Sequence, residues 1–84
     1  MEAVFDPGTY LETITEIWAF VASDHNGEGV VGMKIRDTWM PLIAADRDRL
    51  EGLRPMAMQI AVETGKTIKL VKFTTREEVE TIAP

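Results

Sequence analysis

The stretch that most constrains this chain is Glu16 to Arg36, EIWAFVASDHNGEGVVGMKIR, in which alternating apolar residues flank Asn26-Gly27. Asn-Gly readily takes the two positive-φ positions of a type I′ turn, and it is the strongest short-range signal for a β-hairpin. With those residues as the loop, His25 faces Glu28, Trp18 opposes Ile35, Phe20 opposes Met33 and Ala22 opposes Val31. The other face pairs Ile17 with Arg36, Ala19 with Lys34, Val21 with Gly32 and Ser23 with Val30. A slip of one residue would scatter the apolar pairs over both faces, so alternation and turn chemistry predict one register.

Asp37-Thr38 is a second reversal, leading into a third strand from Trp39 to Ala45. A two-residue loop there sets Met40 opposite Ile35, Leu42 opposite Met33 and Ala44 opposite Val31, all on the apolar face of the first hairpin. Pro41 falls on the other face and cannot donate a ladder hydrogen bond, which suits an edge strand. Asp46 is a good helix N-cap, with Asp48 in the first turn. Leu50, Leu53, Ala57, Ile60, Ala61 and Thr64 recur at helical spacing, and Gly65 suits the C′ position. Gly52 and Pro55 interrupt this pattern. They predict either a kink near 51–55 or a main helix that begins at Pro55.

Thr67 to Thr74 reads as a fourth strand, with Ile68 and Leu70 on one parity and Val71 and Phe73 on the other. Thr75 and Glu78 match a capping box, and Val79 with Ile82 would give a short helix over 75–82 an apolar side. Before the hairpin, Asp6-Pro7-Gly8 is a turn signal. Thr9 with Glu12 could start a short helix, or residues 9–15 could lead extended into the first strand. Val4, Phe5, Tyr10 and Leu11 would make this arm a cover for apolar surface.

The expected fold is therefore α+β over a single domain, residues 1–84. It comprises an arm (1–15), a three-stranded meander (16–45), a helix (46–64), a fourth strand (67–74) and a short helical turn (75–82). The β-β-β-α-β order predicts a four-stranded mixed sheet in the order 3-2-1-4, with the fourth strand parallel to the first and one main helix on one face. Trp18, Phe20, Met33, Ile35, Leu42 and the helix would make the core. No internal repeat is visible. Over residues 16–74 this element order is similar to the minimal RNase H-like domain of some small bacterial antitoxins. That resemblance is one of element order only and carries neither motif residues nor a function across.

The residues that carry chemistry point away from catalysis. With no cysteine, disulfides and thiolate metal sites are excluded. His25, the single histidine, sits beside Asp24 and Glu28 at a turn, too few ligands for a zinc or EF-hand site. No nucleophile elbow, phosphate loop or dinucleotide glycine pattern is present. No enzyme activity, cofactor, metal or catalytic residue is expected. Lys66, Lys69, Lys72 and Arg76 form a candidate anion contact, although Lys69 and Lys72 would point to opposite faces of their strand. Lysines along a strand also protect a sheet edge. The net charge of −5 disfavours generic nucleic-acid binding.

No apolar run approaches the roughly 18 residues of a membrane span, and MEAVFDPGTY lacks the basic start and apolar stretch of a signal peptide. No membrane contact and a cytoplasmic location are the expectations. One helix can cover one face of a four-stranded sheet. Ile17, Ala19, Val21, Val30 and Trp39 would remain on the second face as an interface, which predicts a non-enzymatic interaction module, either a homodimer or bound to a protein partner. The alternative is a nucleic-acid-associated regulatory accessory protein, antitoxin-like, that uses the basic strand.

Overall fold

The structure is a computed structural model and describes residues 15–84. The arm over residues 1–14, with its proposed turn and helix start, lies outside the described residues. The elements are β1 (Ile17–Asp24), β2 (Gly27–Val30), β3 (Gly32–Ile35), β4 (Thr38–Pro41), β5 (Ile43–Ala44), α1 (Arg47–Thr64) and β6 (Lys69–Phe73). The fold is α+β, with one helix and only antiparallel strand pairs among the described residues.

Both hairpins turn one residue earlier than the sequence signals indicate. In the first, Val21 pairs with Val30, Ala22 with Gly29, Ser23 with Glu28 and Asp24 with Gly27, so the loop is His25-Asn26. Asp24 Oδ1 accepts the Asn26 N–H at 2.7 Å, an Asx-type turn that competes with the Asn-Gly turn. Neither loop residue has positive φ, which is left to Gly27 at the start of β2, at 121°, so the turn is not type I′. In the second, Gly32 pairs with Pro41, Met33 with Met40, Lys34 with Trp39 and Ile35 with Thr38 around Arg36-Asp37. Arg36 holds a φ of 58°, a conformation glycine adopts more readily. Each shift displaces the facing residues by two, which preserves parity. The expected partners change, but the side of the strand each residue occupies does not.

The larger departure is that the three expected strands do not form a flat meander. The second is interrupted at Val31 and the third at Leu42. At the breaks, three backbone bonds close a ring: Phe20 N–H to Leu42 O (3.0 Å), Leu42 N–H to Val31 O (2.9 Å) and Val31 N–H to Phe20 O (2.9 Å). Phe20, Val31 and Leu42 are spaced eleven residues apart, and the two turns are offset by the same interval. The backbone thus has a period that the side chains do not repeat. β1 and β2 pair on one side of this hub, β3 and β4 on another, and β5 returns to pair with β1. Three strands cannot all be mutually antiparallel in one flat sheet. Breaking two of them at the hub lets each half-strand find an antiparallel partner.

β5 therefore runs antiparallel to β1, with Trp18 opposite Ala44 and Ala19 opposite Ile43. The helix carries the chain back, and β6 runs in the direction of β5. It pairs antiparallel with the other edge of β1, from Ile17–Phe73 to Val21–Lys69. This corrects the expected order 3-2-1-4 and the expected parallel fourth strand. Strand four does lie beside strand one, but strands two and three share the opposite edge.

Asp46 caps α1 by accepting the Arg49 N–H at 2.7 Å, and Gly65, at φ 70°, donates its N–H to Ala61 O. Leu50, Leu53 and Ala57 bury one stripe of α1 against Phe20, Leu42 and Ala44, with Trp18, Val31, Met40, Met56, Ile60 and Ile68 packed around them. Ile35 is half exposed and lies outside this cluster, as does Met33, because β3 leaves the sheet that the helix covers. The expected helix over 75–82 does not form: residues 74–84 carry no secondary structure, and Val79 and Ile82 are exposed. So short a helix is marginal unless it buries an apolar side, and here that side finds nothing to pack on.

Pro55 lies inside an uninterrupted α1 and is exposed. It removes the N–H that the Glu51 carbonyl would accept and crowds that carbonyl. Pro55→Ala should therefore stabilise the fold by roughly 1–2 kcal/mol, the helical gain less the greater freedom of the unfolded chain. Urea denaturation tests this. A loss of stability would mean that the proline is needed to seat Leu50 and Leu53.

Candidate interaction surface

Side chains of odd number on β1 point away from the helix, and strand pairing extends this face. Val30 lies beside Val21, Ile43 beside Ala19, and Phe73, Val71 and Lys69 beside Ile17, Ala19 and Val21. Ile68 and Leu70 belong to the helix side. Ile68 packs on the core cluster, and Leu70 pairs with Phe20. Which parity of the last strand meets the helix is thereby decided: Val71 and Phe73 face away.

The five sequence-predicted interface residues divide. Ala19 and Val21 are buried, flanked in the ladder by Ile43, Val71, Val30 and Lys69. Ile17 and Val30 remain open at 39% and 37% of their surface. Trp39 is 56% exposed but sits on the β3–β4 hairpin, outside the four-stranded sheet. Its indole lies over Gly32, and its ladder partner is Lys34. Ile43 (42%) and Phe73 (55%) complete the exposed patch. Ile43 carries no sequence signal of its own. Its place on this face follows only once β5 is known to return to β1.

Of the four cations of the candidate anion contact, Lys66 and Lys69 share a groove of about 250 Å³ with Ser23 and Thr67, and the other two lie outside it. Lys66 lies in the segment between α1 and β6, Lys69 is on the open face, and Arg76 is in the tail. Lys72 points to the helix side, where its Nζ is 3.6 Å from Glu16 Oε2. Lys66 borders an open groove of about 360 Å³ beside the first turn, shared with Ser23, Asp24, Asn26 and Glu28. A smaller groove of about 200 Å³ separates α1 from β6, between Phe20, Ala57, Met58, Ala61 and Leu70, with Arg54 at its rim. Arg54 is bound to Glu51 by two hydrogen bonds of 3.0 and 3.2 Å. Those bonds, and the attraction between the two charges, hold the Glu51 carboxyl below the ordinary glutamate range. The pair is exposed, so it marks the helix surface more than it stabilises it.

Among the described residues no three potential ligands gather as a metal site. No helix among them is long and apolar enough to cross a membrane. No protein-family model matches the chain, and no match is found among curated proteins or solved structures.

Proposed function

We propose that the protein is a non-enzymatic interaction module that pairs with a second copy of itself through the open sheet face. The observation that carries this reading is the exposed apolar set of Ile17, Val30, Ile43 and Phe73, assembled from four strands on the side away from α1. Exposed apolar side chains gathered on one face, here around the buried Ala19 and Val21, mark a contact site. A second copy suits it because the chain carries net charge −5 while the two charged members of this face, Lys69 and Glu28, cancel each other. Two such faces can meet without opposing the acids that cover the rest of the molecule. A two-fold arrangement closes the contact. The separation of Lys72, which is paired with Glu16 on the helix side, from the Lys66–Lys69 groove favours this reading over nucleic-acid binding.

Light scattering on Ile43→Asp and Phe73→Asp tests the reading. Each buries an unpaired carboxylate in the proposed contact and should weaken self-association by about tenfold or more, leaving the far-ultraviolet circular dichroism unchanged. Wild-type protein that stays monomeric at high micromolar concentration would remove this function.

A further inference from the structure

We propose that the free edge of β6 accepts the C-terminal segment Arg76–Thr81 of a second copy as an added antiparallel strand. Among the described residues β6 pairs only with β1, and none of them takes up the backbone groups of its other edge. That edge bears Lys69 and Lys72, which repel a second copy of the same edge but attract an acidic strand. The tail is such a strand: Arg76-Glu77-Glu78-Val79-Glu80-Thr81 carries three acids against one cation, and its Val79 is 87% exposed.

The register is set by the charges. Placing Glu77 opposite Lys72 also places Glu80 opposite Lys69 and Val79 opposite Leu70, a side chain itself 38% exposed. Arg76 then falls beside the Phe73 ring, and Thr81 beside Ile68. Opposite-charge and apolar cross-strand pairs each favour such a ladder, and arginine over an aromatic ring adds to it. Glu16, now near Lys72, would share that cation with Glu77.

The same register cannot easily form within one chain. It would leave Thr74-Thr75 as a two-residue hairpin loop, a position that demands positive φ and that β-branched residues resist. In the structure residues 74–84 do not pair with β6. A tail from another molecule escapes this constraint, which is the usual logic of strand exchange. This contact uses an edge and does not rest on the face contact proposed above.

The test is a charge-swap mixture on an Ile43→Asp background, which removes the face contact. Sedimentation velocity reads association of three samples: the edge variant (Lys69→Glu, Lys72→Glu), the tail variant (Glu77→Lys, Glu80→Lys) and their mixture. Each variant alone should associate at least about tenfold more weakly than the background protein, because edge and tail then carry like charge. The mixture should recover a one-to-one complex that 1 M salt dissolves, since exposed pairs are screened there. Undiminished association of either variant alone, or no complex in the mixture, would overturn the proposal. So would a monomeric background protein whose tail amides are protected from exchange, since that places the tail on its own edge. Loss of the face contact in wild-type protein would leave the mixture result intact, so the two readings fail separately.

Discussion

Leu42→Ala is expected to remove about 3–5 kcal/mol of stability, the upper part of the range for truncating a buried leucine. Leu42 is the one large side chain with no exposed surface among the described residues, and it sits where the sheet and the helix converge. Its backbone N–H and carbonyl are both committed to the ring with Val31 and Phe20. The strands around it therefore cannot slide inward to fill the cavity without breaking the hub, and a site that cannot collapse incurs the larger cost. For a domain of this size, total stability is about 4–12 kcal/mol, so the variant should be close to unfolding. A fall in Tm of roughly 15 °C or more is expected. Denaturant titration with an unchanged slope would confirm a loss confined to the native state. A loss under about 1 kcal/mol would show that the hub is not where the core is densest.

What the sequence makes legible follows from how far each signal reaches. Alternation along Trp18, Phe20 and Ala22 identifies the helix-facing side of β1, and it survives the error in register because a two-residue displacement preserves parity. The helix ends are legible because Asp46 and Gly65 act on their own backbone neighbours. The turn positions are less so. Asn26-Gly27 is a strong signal, but the Asp24 side chain captures the Asn26 N–H and moves the loop back one residue.

The hub lies beyond any local pattern, since it joins Phe20, Val31 and Leu42 across the whole meander. Two residues nevertheless flag it. Gly32 follows one break, Pro41 precedes the other, and the two face each other in the ladder. An interior glycine and a strand proline both signal that pairing is about to change. Read together they argue against two long unbroken strands. Once the third strand bends, its end turns antiparallel to β1, and the direction of β6 follows from the crossover. The open face was legible as an apolar parity, whereas its membership was not. Ile43 enters and Trp39 leaves because of the same bend.

Gly32→Ala tests that bend, and its sign is not obvious in advance. Alanine restricts the unfolded chain more than glycine does, which alone would stabilise the fold by about 0.4–1 kcal/mol. Nor does Gly32 have positive φ, so the backbone conformation itself does not forbid a side chain. The obstacle is contact. A Cβ built at Gly32 would lie 2.6 Å from the Met40 carbonyl oxygen and 2.6 Å from Trp39 Cε2. The indole can swing away, being more than half exposed, but the carbonyl belongs to the paired backbone of β4. Separating the two strands to admit one methyl group costs about 1–3 kcal/mol by analogy with overpacked cores. That exceeds the entropic gain, so a net loss of about 1–2 kcal/mol is expected. Trp39 fluorescence should shift to the red as the ring leaves its place over the glycine. Adding Trp39→Ala separates the two contacts, since removing the ring relieves its share of the clash and leaves the carbonyl's. The double variant should thus recover only part of the loss. A Gly32→Ala protein as stable as wild type, with unshifted fluorescence, would show that β3 and β4 do not approach so closely and that the break at Val31 has another cause.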